Sequence, residues 1–97
     1  MSTQSPAHTC HAIGCSVRCK PEYLMCPRHW RMVPLRHQRA VWATYRPGQC
    51  DLNPAPSPAW LLAADKAILA VAVKEGRITL EAALQKIQAT EDRMKKQ

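Results

Sequence analysis

From Trp60 the apolar residues recur through Ala64, Ala67, Ile68, Val71 and Ala72, the i, i+4, i+7, i+8, i+11 repeat of a helix burying one face. Leu61, Leu62, Leu69 and Val73 widen that stripe, which predicts the most buried element of the chain. Ser57 suits the N-cap, Pro58 the first helical position, and Gly76 a left-handed cap past the end. The helix is therefore expected over about 58–75. After "GRIT", Leu80, Leu84 and Ile87 supply the apolar side of a helix over about 80–95. Thr79 is its N-cap, Glu81 favours its positive start, and the cations of "DRMKKQ" suit its end. So short a turn makes these two helices an antiparallel hairpin.

A further helix is predicted over about 34–45, with Pro34 in its first turn and "RPG" ending it. Leu35, Gln38, Val41, Trp42 and Tyr45 share its packed side, which faces the hairpin. Arg36, Arg39 and Arg46 fall within about 80° of one another on the neighbouring side, and His37 reads as solvated. Residues 10–33 hold no long periodicity and are punctuated by Gly14, Pro21 and Pro27, as in loops held by something other than secondary structure. Residues 1–9 read as a mobile tail, and "CDLNPAPSPAW" as a stiff, extended linker. The predicted fold is mainly α: an N-terminal loop module at 10–33 and a helical part at 34–97, in one compact domain.

Composition sharpens one point. The 97 residues contain no Phe, three Trp and two Tyr, so the core is modest and calls for a staple. Trp30, Trp42 and Trp60 are the expected core anchors, with Met25 and Met32 as gap-fillers.

The staple is visible in "HTCHAIGCSVRCKPEYLMCPRHW", where residues 8–30 hold four of the five cysteines and three of the four histidines. The start of the chain lacks the basic and apolar regions of a signal peptide, and "AILAVAV" at 67–73 is too short to cross a bilayer. In a reducing cytoplasm, clustered Cys and His read as metal ligands rather than disulfides. Cys26 and His29, two residues apart, let one turn aim both side chains at one ion. Cys10 and Cys15 form a second pair around Gly14, completing C-x4-C-x10-C-x2-H, a Cys3His structural zinc site. Cys19 competes with Cys10 for the fourth place. The flexible Gly14 favours Cys10, and the β-branched Val17 disfavours Cys15 with Cys19. Cys50 reads as a small loop residue. Glu22 is the only carboxylate in the first fifty residues. With no nucleophile–base pair, phosphate loop or catalytic zinc pattern, the inventory argues against an enzyme.

The segments "MCPRHWRMVP" and "VWATYRPGQ" resemble those of a group of small proteins encoded in bacteriophage and prophage genomes. The resemblance spans about residues 10–70 and runs C-x4-C, M-C-x-x-H-W-x-x-V-P, then V-W-x-x-Y-x-x-G-Q. It implies Cys10, Cys15, Cys26 and His29 as ligands, with Cys19 and Cys50 outside the pattern. It also implies Trp30, Val33, Pro34, Trp42, Tyr45 and Gly48 as framework, and a bacterial cytoplasm as the setting. It transfers no activity.

Net charge is +7, with seven cations against Glu22 alone in residues 1–50 and near balance thereafter. The positive field therefore lies on the Cys/His half, where it would draw an acidic partner. A host protein that the chain inhibits or redirects is the first expectation. The alternative is nucleic acid, met in zinc-finger manner by a basic helix face. Arg28, Arg31, Arg36, Arg39 and Arg46 are the candidate contacts in either case, unless they serve only solubility. Neither a membrane nor a small-molecule substrate is expected.

Overall fold

The computed structural model describes residues 8–20, 23–46 and 57–95. Four helices follow one another: α1, Pro27–Trp30; α2, Leu35–Thr44; α3, Pro58–Lys74; and α4, Leu80–Lys95. The Cys/His module precedes and includes α1. Gly48, Cys50 and the linker up to residue 56 lie outside the described residues, as does the expected tail up to residue 7. Thr9 is bridged to Arg18 in antiparallel fashion, so the ordered module begins before residue 10.

Local chemistry sets the helix ends. The Ser57 side chain accepts a hydrogen bond from the Trp60 N–H at 3.1 Å, capping α3, and Pro58 stands at the start of the helix. Its other end closes as a Schellman turn. The Gly76 N–H bonds to Val73 O and the Arg77 N–H to Ala72 O, with Gly76 at φ +72°, a conformation that favours glycine. Thr79 Oγ1 accepts from the Ala82 N–H at 3.1 Å and caps α4. Pro34 lies just outside α2 as its N-cap, not within the first turn. Likewise Arg46 follows the C-cap residue Tyr45, so the basic stripe on the helix itself is Arg36 and Arg39.

α3 packs against both α2 and α4. Ala63, Ala64, Ala67 and Val71 join Val41 of α2 and Cys10, Ala12, Leu24, Met25, Cys26 and Val33 in one core. Trp30, Met32 and Trp60 are partly buried against that core. Alanines along α3 leave room for the irregular module to approach its backbone closely, where larger side chains would hold it off. Leu69 and Ala72 are buried on other sides of the helix, and α4 runs back antiparallel, with Thr90 Oγ1 donating to Asp65 Oδ2 at 3.1 Å.

Several expectations about packing are overturned, among them Leu61, expected to widen the buried stripe of α3 but 50% exposed. On α4 the buried residue is Ala83, while Leu80 and Leu84 are 62% and 56% exposed. The close α3–α4 approach selects the small side chain and turns the two leucines outward. On α2, Val41 is buried, but Leu35 and Trp42 face solvent, because the helix meets α3 along a narrow line. Trp42 is thus not a core anchor.

Ala67 is fully buried where the module meets α3, so Ala67→Leu should overpack the contact and cost about 1–3 kcal/mol. Leu84→Ala should stay within about 0.5 kcal/mol. Urea unfolding of the two variants provides the comparison.

Candidate metal centre

Two local devices build the site. The turn over residues 12–15 is closed by the Cys15 N–H to Ala12 O at 3.1 Å, with Gly14 at φ +81°. The Cys10 N–H to Val17 O bond, 2.8 Å, holds the two flanking segments together. The second device is α1, a single helical turn that begins after Cys26 with Pro27 at its start. Residues three apart share a helix face, so the turn presents Cys26 and His29 together. The sequence segment expected to be all loop therefore contains one helical turn, closed by the Trp30 N–H to Cys26 O at 2.9 Å. Gln38 of α2 donates to Trp30 O and Val33 O, at 2.9 and 3.2 Å, supplying partners for carbonyls at the end of that turn.

One ligand atom from each of Cys10, Cys15, Cys26 and His29 lies within 4.8 Å of all the others. Three of the four residues are buried, and His29 is only 3% exposed. His29 Nδ1 is 3.3 Å from Cys26 Sγ and 3.7 Å from Cys10 Sγ. The group can hold a metal ion, with four soft or borderline donors around one point. Cys19 stands apart from it. Its Sγ lies 3.5 Å from His8 Nδ1 and 3.7 Å from Tyr23 O.

Protonation equilibria within the group are uneven. Burial pushes the Cys10 thiol up to about 11, against the pull of backbone N–H groups at Cys26 and Ala12. Burial also works to raise the Cys26 thiol, but the backbone and ring of His29, with the Cys10 and Cys15 thiols, hydrogen-bond its thiolate and bring it down to about 7. Cys26 is therefore the readiest anchor for a cation. Burial, then the charges of Cys26 and Cys15, raise Cys19. Burial lowers His11, helped by His8, and burial lowers His37, helped by Arg36 and Lys66.

The residue that sequence reasoning missed is Glu75. His29 Nε2 donates to Glu75 Oε2 at 3.0 Å. A carboxylate can only accept, so the imidazole proton is fixed on Nε2 and Nδ1 turns its lone pair to the sulfurs. This carboxylate–histidine pairing orients metal-ligating imidazoles and raises their basicity. The His29 bond, against the opposing effect of burial, holds the Glu75 carboxyl below its ordinary range, with Arg77 assisting. Arg77 Nε donates to Glu75 Oε1 at 3.2 Å, and its guanidinium lies against Gly14, where a Cβ would sit 2.6 Å from Nη1. Lys74 adds a 2.6 Å bond to Met32 O. The end of α3 and the turn after it thus grip the module at three points. "KEGR" carries no sequence signal for this role, because Glu75 lies 46 residues from its partner.

The candidate arginines are dispersed. Arg28 is 3.7 Å from Glu75 Oε2 with its side chain largely in solvent. Arg31, Arg36, Arg39 and Arg46 are exposed. No helix among the described residues is long and apolar enough to cross a membrane. Comparison of the chain with protein-family models, with curated proteins and with solved structures gives no match.

Glu75→Gln should lower metal affinity about 10–100-fold while keeping the number of ions bound, as read by competition with a chromophoric chelator. Gly14→Ala, which forces a side chain onto a positive φ and against Arg77, should cost about 1 kcal/mol or more in thermal unfolding of the metal-loaded protein.

Proposed function

We propose that this chain is a small phage-type accessory protein in which structural zinc shapes a surface for binding a host protein, which it inhibits or redirects. Zinc is the ion that suits the donors. With Zn–S near 2.3 Å and Zn–N near 2.0 Å, a tetrahedron separates sulfur and nitrogen by about 3.5 Å, and the two Sγ–Nδ1 distances are 3.3 and 3.7 Å. Three sulfurs and one imidazole complete four-coordination, which leaves the ion a folding role in a bacterial cytoplasm and the chain a binding role, not a catalytic one.

The surface beside the cluster carries the functional reading. A hollow of about 330 Å³ is lined by Tyr23, Leu24, Met25, Pro27, Trp30, Val41 and Trp42, immediately next to Cys26 and His29. Tyr23 and Trp42, each 45% exposed, meet edge to face at its rim, with centroids 6.2 Å apart. Leu35, Arg39 and Trp42 follow at intervals of four and three along the solvent side of α2. Aromatic residues and arginine around an apolar recess are the composition of a protein-binding hot spot, and the positive field selects an acidic partner. The nucleic-acid reading is favoured by Arg36 and Arg39 beside exposed aromatic rings that could stack on bases. The apolar lining of the recess supports the protein partner over it.

The purified protein should carry about one zinc per chain by elemental analysis. Cys26→Ser or His29→Ala should abolish retention and melt the module, and Cys19→Ser should leave that zinc in place. A host protein captured by the native chain should be lost with Trp42→Ala or with Arg36, Arg39 and Arg46 reversed to Glu. Capture that survives both changes overturns this surface. Binding to a random duplex that falls steeply between about 50 and 200 mM salt would establish the second reading instead.

A further inference from the structure

Apart from the four-residue cluster, the module gathers His8, His11 and Cys19. His8 Nε2 and His11 Nε2 are 3.2 Å apart, with ring centroids at 5.1 Å and planes tilted by 48°. Two nitrogens bound at 2.0–2.1 Å to one tetrahedral ion stand about 3.3 Å apart, and closer in an octahedron. The backbone already sets these imidazoles at that spacing. The Thr9–Arg18 bridge fixes the segment between them, the Cys19 N–H donates to His8 O at 3.1 Å, and the His11 N–H donates to Leu24 O at 3.0 Å.

The proton placement on His8 points the same way. Its Nδ1 lies 3.3 Å from the Cys19 carbonyl oxygen. A carbonyl oxygen only accepts, so Nδ1 carries the hydrogen and Nε2 is left with a lone pair directed at His11. A ring N–H on a backbone carbonyl with the other nitrogen free is the usual arrangement of a metal-ligating histidine. Without an ion, His11 Nε2–H can donate across the gap; with one, His11 carries its proton on Nδ1 and both Nε2 atoms face the cation.

We propose that His8 and His11 form a second, exchangeable site for a divalent transition cation of the borderline class, held through their two Nε2 atoms. Cys19 is not a ligand of that ion. Its Sγ approaches the opposite nitrogen of His8, at 3.5 Å, so one ion cannot take His8 Nε2 and remain on that sulfur edge. His11 is exposed and His8 half-buried, and water fills the remaining positions. With two imidazoles against three sulfurs and an imidazole, this ion is the weaker held, lost on desalting while the buried one stays. The inference is independent of the partner-binding role.

The test uses the whole 97-residue chain loaded with zinc and desalted, titrated with Ni2+ by calorimetry. One further ion per chain should bind the native protein. His8→Gln or His11→Gln should weaken that event about tenfold or more, with Cys19→Ser leaving it unchanged. Retained zinc in each variant reports that the module is still folded. In the native protein, Ni2+ should broaden the ring-proton signals of His8 and His11 before any others, a readout that needs no substitution. No second ion, broadening elsewhere first, or loss of binding with Cys19→Ser overturns the assignment.

Discussion

The hydrogen bond between His29 and Glu75 is the contact on which the arrangement of this molecule turns. On one side of the imidazole, Nδ1 faces two sulfurs; on the other, Nε2–H is held by a carboxylate from the far end of α3. A single ring thus belongs to the Cys/His module and to the helical core at once. Arg77 extends the link by bonding Glu75 and resting on the turn at Gly14. Site and scaffold are therefore joined, and a change at the end of α3 reaches the ligands through Glu75 directly and through Arg77 on the Gly14 turn.

Much of the helical layout was legible because it rests on local chemistry. Ser57, Pro58, Gly76 and Thr79 each mark a boundary through their own backbone preferences or side-chain bonds, and those act over three or four residues. The gathering of Cys10, Cys15, Cys26 and His29 was readable for a similar reason, since each pair is brought together by its own short turn. The spacing that left Cys19 in contention did not reveal that the Thr9–Arg18 bridge turns it toward His8.

What stayed hidden depends on distance along the chain or on which of two apolar edges meets a neighbour. Periodicity placed Leu80, Leu84 and Ile87 on one side of α4, but Ala83 lies close to that arc and fits a tight helix contact better. The same ambiguity put Trp42 into the core, whereas Val41, one position away, fills the narrow seam. The solvent-facing result is the more informative one. In a Phe-free chain, Trp42 and Tyr23 stand half-exposed at the rim of a recess rather than in the core.

The 46-residue span between His29 and Glu75 also sets an order of events during synthesis. All four candidate ligands are synthesised before the carboxylate that aligns the imidazole, and at about 5–20 residues per second the 46 residues from His29 to Glu75 take about 2–9 seconds to add. Any ion captured in this window would sit in a half-oriented cage. The His29 imidazole is thus oriented toward the sulfurs only once α3 is complete, which ties the geometry of the candidate centre to the folding of a distant helix.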